Sequence, residues 1–308
     1  MTEQTMTHRA SMPRWWPFLV MGGGVFAVST AAVFIRLAQE KDAPSLVIAA
    51  ARMVVASLVL TLPAVRNYPH ELQKLTRRDM GFVLIGGGVL GLHFATWITS
   101  LEYTSVVNSV VLVTTNPLWV AVLAPIFLRE KLGRFTLIGL ALAFGGGILV
   151  ALTGSAGDPP NRSDPLLGNG LAVIGAIMAA IYFVIGRRLR GGLSLIPYVW
   201  LVYSVAAIVL VVAVIVTGQQ VGGLAWQAYL WMALMGLTAQ LIGHSSFNYA
   251  LGYLPAAYVS LVVLGEPIGS GLLAAIFLDE WPVFFQIVGS AFILTGIGIA
   301  SRDQLKKV

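Results

Sequence analysis

Cysteine is absent from this chain of 308 residues. That excludes disulfides and thiolate metal sites, and it leaves the compartment open. Charge is almost as scarce. Asp, Glu, Lys and Arg make up 10% of the residues, where a soluble domain carries about 25%. Acids are missing where chemistry would need them: every Asp lies between or beyond the apolar runs, and no H-E-x-x-H occurs. Without a clustered acid, base or metal site an intramembrane enzyme is disfavoured, and no cofactor is implied. What fills the chain is apolar, 57% of it, above the roughly 45–50% of a soluble domain. Such a composition belongs to a polytopic membrane protein. The net charge of +6 could point to nucleic acid. The basic residues, however, sit in short loops between apolar runs, so membrane lipid is the partner and nucleic acid is not.

The stretch Leu101–Val150 occurs twice. Shifted by 150 positions it lies over Leu251–Ala300 without a gap. Tyr103 meets Tyr253, Pro117 meets Pro267, Ile126-Phe127-Leu128 meets Ile276-Phe277-Leu278, and Glu130 meets Glu280. Gly139 and Gly146 meet Gly289 and Gly296. Shared apolarity does not align a Pro, a Glu and two Gly in one register, so the chain is an internal duplication. The loop after the shared Ile-Phe-Leu is Arg129-Glu130-Lys131-Leu132-Gly133-Arg134 in one copy and Asp279-Glu280-Trp281-Pro282-Val283-Phe284 in the other. Short basic loops stay in the cytoplasm, so the equivalent loops lie on opposite sides of a membrane. That is the mark of an inverted-topology repeat.

Ten spans are expected, over residues 17–37, 44–65, 80–100, 105–128, 135–152, 168–186, 195–217, 229–250, 256–278 and 282–300. Each is near the roughly 20 residues needed to cross. The fold class is therefore all-α, with ten transmembrane helices in two inverted five-helix repeats. A polar segment over 1–16 precedes the first repeat (17–152). A linker rich in Gly, Pro, Asp, Ser and Asn, 153–167, separates it from the second repeat (168–300), and a basic tail (301–308) follows. With both termini cytoplasmic, cytoplasmic segments hold fifteen of the nineteen Lys and Arg. External loops hold Lys41 and Arg162, while Arg36 and Arg52 fall inside spans. Reversing the topology would invert that bias. Five spans per repeat is an odd number, which also forces the two halves to insert in opposite senses.

These residues resemble a known family. Ten helices, two five-helix halves and the repeated Pro…Ile-Phe-Leu-x-Glu of 117–130 and 267–280 are similar to the EamA family of the drug/metabolite transporter superfamily. Asn108-Ser109-Val110 through Thr114-Thr115-Asn116-Pro117-Leu118-Trp119 fits that family's fourth helix. The resemblance runs from about 17 to 300. It implies alternating access around a central cavity lined by helices 1, 3, 4, 6, 8 and 9, with helix 2 at the periphery. It does not name a substrate.

Ionisable and polar groups inside spans are the candidate site, since each costs roughly 2.5–3.5 kcal/mol on insertion scales. Glu266 lies in mid-span before Pro267, and its repeat partner Asn116 lies before Pro117. A Pro inside a helix leaves a backbone carbonyl free and kinks the helix, and transporters bind substrates or ions at such mid-span irregularities. Glu266 can carry a proton as coupling ion, or stay paired, with Arg52 as the natural partner. For Arg52 itself, pairing or snorkelling is the plainer reading. His93 and His244 are one residue apart under the shift and so share a depth. Each can relay a proton, bond a solute, or simply bond a carbonyl of the next helix. Gln240, Ser245, Ser246 and Asn248 make span 8 polar, as expected of a cavity face. Trp97, Trp119, Tyr182, Phe247 and Tyr258 are aromatic candidates for the cavity wall, with packing as the plainer role of each. Glycines at small-x-x-x-small spacing serve helix packing. Glu130 and Glu280 are read as caps for spans 5 and 10.

The function expected is a secondary transporter of the inner (plasma) membrane. It exports small metabolites, amino acids or related compounds foremost, by alternating access. Multidrug or organic-cation export is the alternative, with a pore or an intramembrane enzyme further behind.

Overall fold

The computed structural model describes residues 13, 15–104, 106–153, 164–278, 281 and 283–305. Most of the N-terminal segment and of the linker, together with Glu280, Pro282, Lys306 and Lys307, lie outside the described residues, as does the side chain of Asn108.

The apolar runs fold as helices that turn at Pro, Gly and charge. They are α1 (Trp16–Gln39), α2 (Ser45–Asn67), the short α3 (Pro69–Gln73), α4 (Arg77–Tyr103), α5 (Val106–Val113), α6 (Asn116–Phe127) and α7 (Arg134–Thr153). The second half contributes α8 (Pro165–Arg190), α9 (Leu195–Val216), α10 (Trp226–Met235), a π-helical segment (Gly236–His244) and α11 (Ser245–Ala250). It closes with α12 (Ala256–Val263), α13 (Glu266–Leu278) and α14 (Phe284–Leu305). Among the described residues these make ten passes. Span 4 is α5 with α6, span 8 is α10 through α11, and span 9 is α12 with α13. By length and apolarity alone seven stretches can cross a membrane, and the apolar stretch Arg134–Leu149 is shorter.

Local chemistry sets the ends. Thr76 and Asp79 form a capping box at the start of α4, each side chain accepting the other's backbone N–H at 3.1 Å. Glu71 of α3 receives the N–H of Ser194 (2.8 Å) and its hydroxyl (2.5 Å), which fastens the start of α9. Two expected spans are broken rather than kinked. Turns at Thr114-Thr115 and at Leu264-Gly265 stop α5 and α12, and Asn116-Pro117 and Glu266-Pro267 begin the next helices. A proline has no N–H to lose in a first turn, so it suits that place better than a helix interior.

The packing follows the duplication. α7 pairs with α14 and α2 with α9, each with its own counterpart. α4 packs on α8 as α1 packs on span 8, and α5–α6 pack on α8 as α13 packs on α1. At the α7–α14 crossing a Cβ added to Gly139 would lie 2.4 Å from the carbonyl O of Gly296, and one added to Gly146 would lie 2.5 Å from that of Gly289. The early glycine of one helix meets the late glycine of the other. The two helices therefore run antiparallel, as inverted repeats require.

One register detail lay beyond the sequence pattern. Gly87 of α4 seats on α9 against Val205 and the carbonyl of Val202, and Gly236 seats on α2 against Val55 and the carbonyl of Arg52. Val205 and Val55 are 150 apart, as are Val202 and Arg52, yet Gly236 and Gly87 are 149 apart. Beyond the π segment the shift is 150 again. The segment thus absorbs one extra residue, as a π-bulge does.

The expectation that Glu130 caps span 5 is corrected. Arg129 takes a left-handed conformation (φ 56°). Glu130 then reaches Arg187 at the end of α8 and the backbone N–H of Ala256 at the start of α12.

Candidate functional site

A narrow cavity lies among spans 3, 4, 6, 8 and 9. Span 1, included in the lining implied by the resemblance, stands one layer back behind spans 8 and 9.

The two helix breaks meet here. Asn116 and Glu266, the first residues of α6 and α13, both line the cavity and are 4% and 7% exposed. Asn116 Oδ1 has no hydrogen-bond partner among the described residues. Glu266 stands at a helix N-terminus, the end that best accommodates a carboxylate. Behind it, Ser29 Oγ donates to the Glu266 carbonyl at 3.4 Å, and Ser270 Oγ donates to the Ser29 carbonyl at 3.2 Å, tying α1 to the break.

α4 supplies His93 and Trp97, one turn apart, their rings stacked at 6.0 Å and 14°. His93 Nδ1 donates to the carbonyl of Gly175 on α8 at 2.9 Å. That is the plain helix-to-helix role considered for it, and it turns Nε2 away from the bond. His244, the last residue of the π segment, stands across from it with ring centroids 6.4 Å apart. Its Nδ1 is buried and unpartnered among the described residues, as is Trp97 Nε1. Tyr182 of α8 and Phe247 of α11 complete the aromatic part of the wall.

Six expected residues stand elsewhere: Gln240, Ser245 and Ser246 of span 8 bond Arg52, Tyr203 and the Ile242 carbonyl instead of lining the cavity, and three more lie apart from it. Asn248 is buried behind the wall, its Nδ2 sharing two N–H groups among Tyr182 Oη (2.5 Å), Tyr203 Oη (3.2 Å) and the His244 carbonyl (2.8 Å). Trp119 lies on the outer surface, 37% exposed, because α6 turns that face outward. Tyr258 is buried away from the cavity, bonded to Ser301 Oγ at 2.7 Å and edge-on to Phe18. Pro117 and Pro267 shape the breaks.

Arg52 is not in ion-pair contact with Glu266. Its Nε donates to Gln240 Oε1 at 2.7 Å, and its guanidinium lies over the Phe94 ring at 4.0 Å. That pairing was not legible in the chain, because the partners stand 188 residues apart. Thr114, in the turn before Asn116, also lines the cavity. Its adjacency to an Asn-Pro inside an apolar run was the available signal. No group of three or more His, Cys, Asp or Glu suited to a metal occurs among the described residues.

The profile of the EamA-like transporter family matches this chain over residues 14–152 and again over 166–302. An uncharacterized transporter of Clostridium kluyveri is 24% identical over 267 residues, spanning 83% of this chain and 84% of its own. The uncharacterized transporter YyaM of Bacillus subtilis is 26% identical over 261 residues, spanning 82% and 83%. A solved crystal structure shares the fold with a TM-score of 0.73 at 14% identity, over 94% of this chain and 98% of its own.

Proposed function

We propose that this chain, which belongs to the EamA-like transporter family, exports small metabolites, amino acids or related compounds foremost, by alternating access across the inner membrane. The observation that carries the reading is the meeting of two repeat-equivalent helix breaks, Asn116-Pro117 and Glu266-Pro267, in one mid-bundle cavity. Breaks of this kind present free backbone and polar groups where a solute can be held and where two half-helices can pivot. The inverted repeats provide the second half of the mechanism. If the halves exchange conformations, a site on their pseudo-symmetry axis opens first to one side and then to the other.

The aromatic wall of Trp97, Tyr182 and Phe247 suits a solute with an apolar portion, and Glu266 suits one with a donor or a positive group. The proposed orientation has both termini in the cytoplasm, supported by the basic loops on that side. The direct test is counterflow in proteoliposomes preloaded with labelled amino acids, nucleosides and cationic dyes. Saturable exchange of one amino-acid class is the expected result. Saturable exchange of the dyes alone would replace the reading with multidrug export. Unsaturable flux would make the protein a pore.

A further inference from the structure

Arg52 is the residue that the transport reading leaves unexplained. It is fully buried, with 0% exposure, in a bundle whose outside is apolar. Among the described residues only Nε has a bonded partner. Both terminal guanidinium nitrogens, which carry most of its N–H donors, are buried without a partner among the described residues. The face of Phe94 offsets part of the charge, but a ring face accepts no directed hydrogen bond from the terminal nitrogens here. Burying a cation without its anion is among the costliest arrangements a fold can hold.

The repeat shows that the fold does not need this charge. The counterpart of Arg52 is Val202, which is buried as completely in the same contact with a glycine of the facing span. One half of the protein fills the position with an aliphatic side chain and the other with a guanidinium. The π segment supports both the guanidinium and the cavity wall. Gln240 in its middle holds Nε, and His244 at its end lines the cavity. Phe94 meets both, lying under the guanidinium and edge-on to His244 at 5.2 Å. The guanidinium therefore lies behind Phe94, which in turn backs the lining residue His244. Trp97 Nε1 adds an unpartnered donor on the wall itself.

We propose that Arg52 selects solutes bearing a carboxylate: the solute's anionic end displaces the Phe94–His244 screen and takes a bidentate bond from the two free guanidinium nitrogens. This rests on the transport reading and narrows its substrate class. A solute without a carboxylate forgoes that bond, while Glu266 on the cavity wall suits the ammonium of an amino acid. Arg matches a carboxylate in geometry as well as charge, which Lys does not.

The test uses matched probes on the purified full-length protein: phenylalanine against phenylalaninamide and phenethylamine, and phenylacetate against phenylacetamide. Binding is read as the shift in thermal unfolding midpoint with probe concentration. Each carboxylate should bind roughly 10- to 100-fold more tightly than its amide. Arg52→Gln should erase that difference. Gln240→Glu supplies the guanidinium with an internal carboxylate, so it should raise the unfolding midpoint and weaken carboxylate binding. If Arg52→Gln does not fold, the wild-type pairs and Gln240→Glu decide the matter. Equal binding of amide and acid, absence of carboxylate binding, or an unchanged preference in Arg52→Gln overturns the inference. Proteoliposome flux separates the two readings. Carboxylate-selective binding without flux defeats transport and leaves Arg52 standing. Saturable flux of amides or cations without carboxylate preference defeats Arg52 and leaves transport standing.

Discussion

Arg187 Nε donates to Glu130 Oε1 across 2.8 Å, and so ties the loop after span 4 to the end of α8. The same Glu130 receives the Ala256 N–H at 3.1 Å through its other oxygen, and Arg187 Nη1 donates to the Leu251 carbonyl at 2.8 Å. Arg190, one turn on, donates from Nε to the Asn248 carbonyl at 3.0 Å. The basic end of α8 thus satisfies carbonyls that the end of span 8 leaves free, and Glu130 satisfies an N–H that the start of α12 leaves free. Spans 4, 6, 8 and 9, four of the five that line the cavity, are fastened together at this end.

Glu130→Ala should therefore lower stability by about 2 kcal/mol, a sum of the lost cap and the lost charged hydrogen bond. Glu130→Gln, which keeps an acceptor, should lose about 1 kcal/mol. The double exchange Glu130→Arg with Arg187→Glu should recover part of the loss, since it restores the pair but not the bond to Ala256. Thermal unfolding of the purified variants measures all three. An unchanged midpoint in Glu130→Ala would show that these contacts do not hold the ends together.

If a proton is the coupling ion, Glu266 is the carboxylate in the cavity to carry it. Glu266→Gln should keep solute counterflow and lose the response to a pH gradient. A variant with the wild-type gradient response removes Glu266 from proton coupling.

The α7–α14 crossing admits no side chain at its glycines. Gly139→Val must push the Gly296 carbonyl aside and should cost about 1–3 kcal/mol as overpacking. Gly145→Ala on the same helix meets nothing within 4 Å and should be neutral or stabilising by up to about 1 kcal/mol through helix propensity. Unfolding midpoints that move alike in the two variants would contradict the close contact.

The proposed orientation puts Gln220 outside and Lys74 inside. Because the chain has no cysteine of its own, Gln220→Cys and Lys74→Cys each give a single thiol. An impermeant thiol reagent applied to intact cells should label Gln220→Cys at once and Lys74→Cys only after permeabilisation. The opposite pattern reverses the topology.

Length of apolar run, internal repetition, loop charge and proline position were legible in the chain, and they determined the helical passes, the inverted halves and the breaks at Asn116 and Glu266. Each of these depends on composition along the chain, which a sequence displays directly. What the tertiary structure alone decided was which face of each helix looks inward. Around a soluble core polarity marks the outer face. In a bilayer the lipid is as apolar as the interior, so the same Leu, Val or Trp serves either side. For that reason Trp97 and Trp119 read alike in the sequence, while one lines the cavity and the other faces out. The π segment was hidden because one residue of extra register leaves the apolar pattern almost unchanged. Arg52 and Gln240 were unmatched because their contact joins two spans from different repeats, and only packing brings them together.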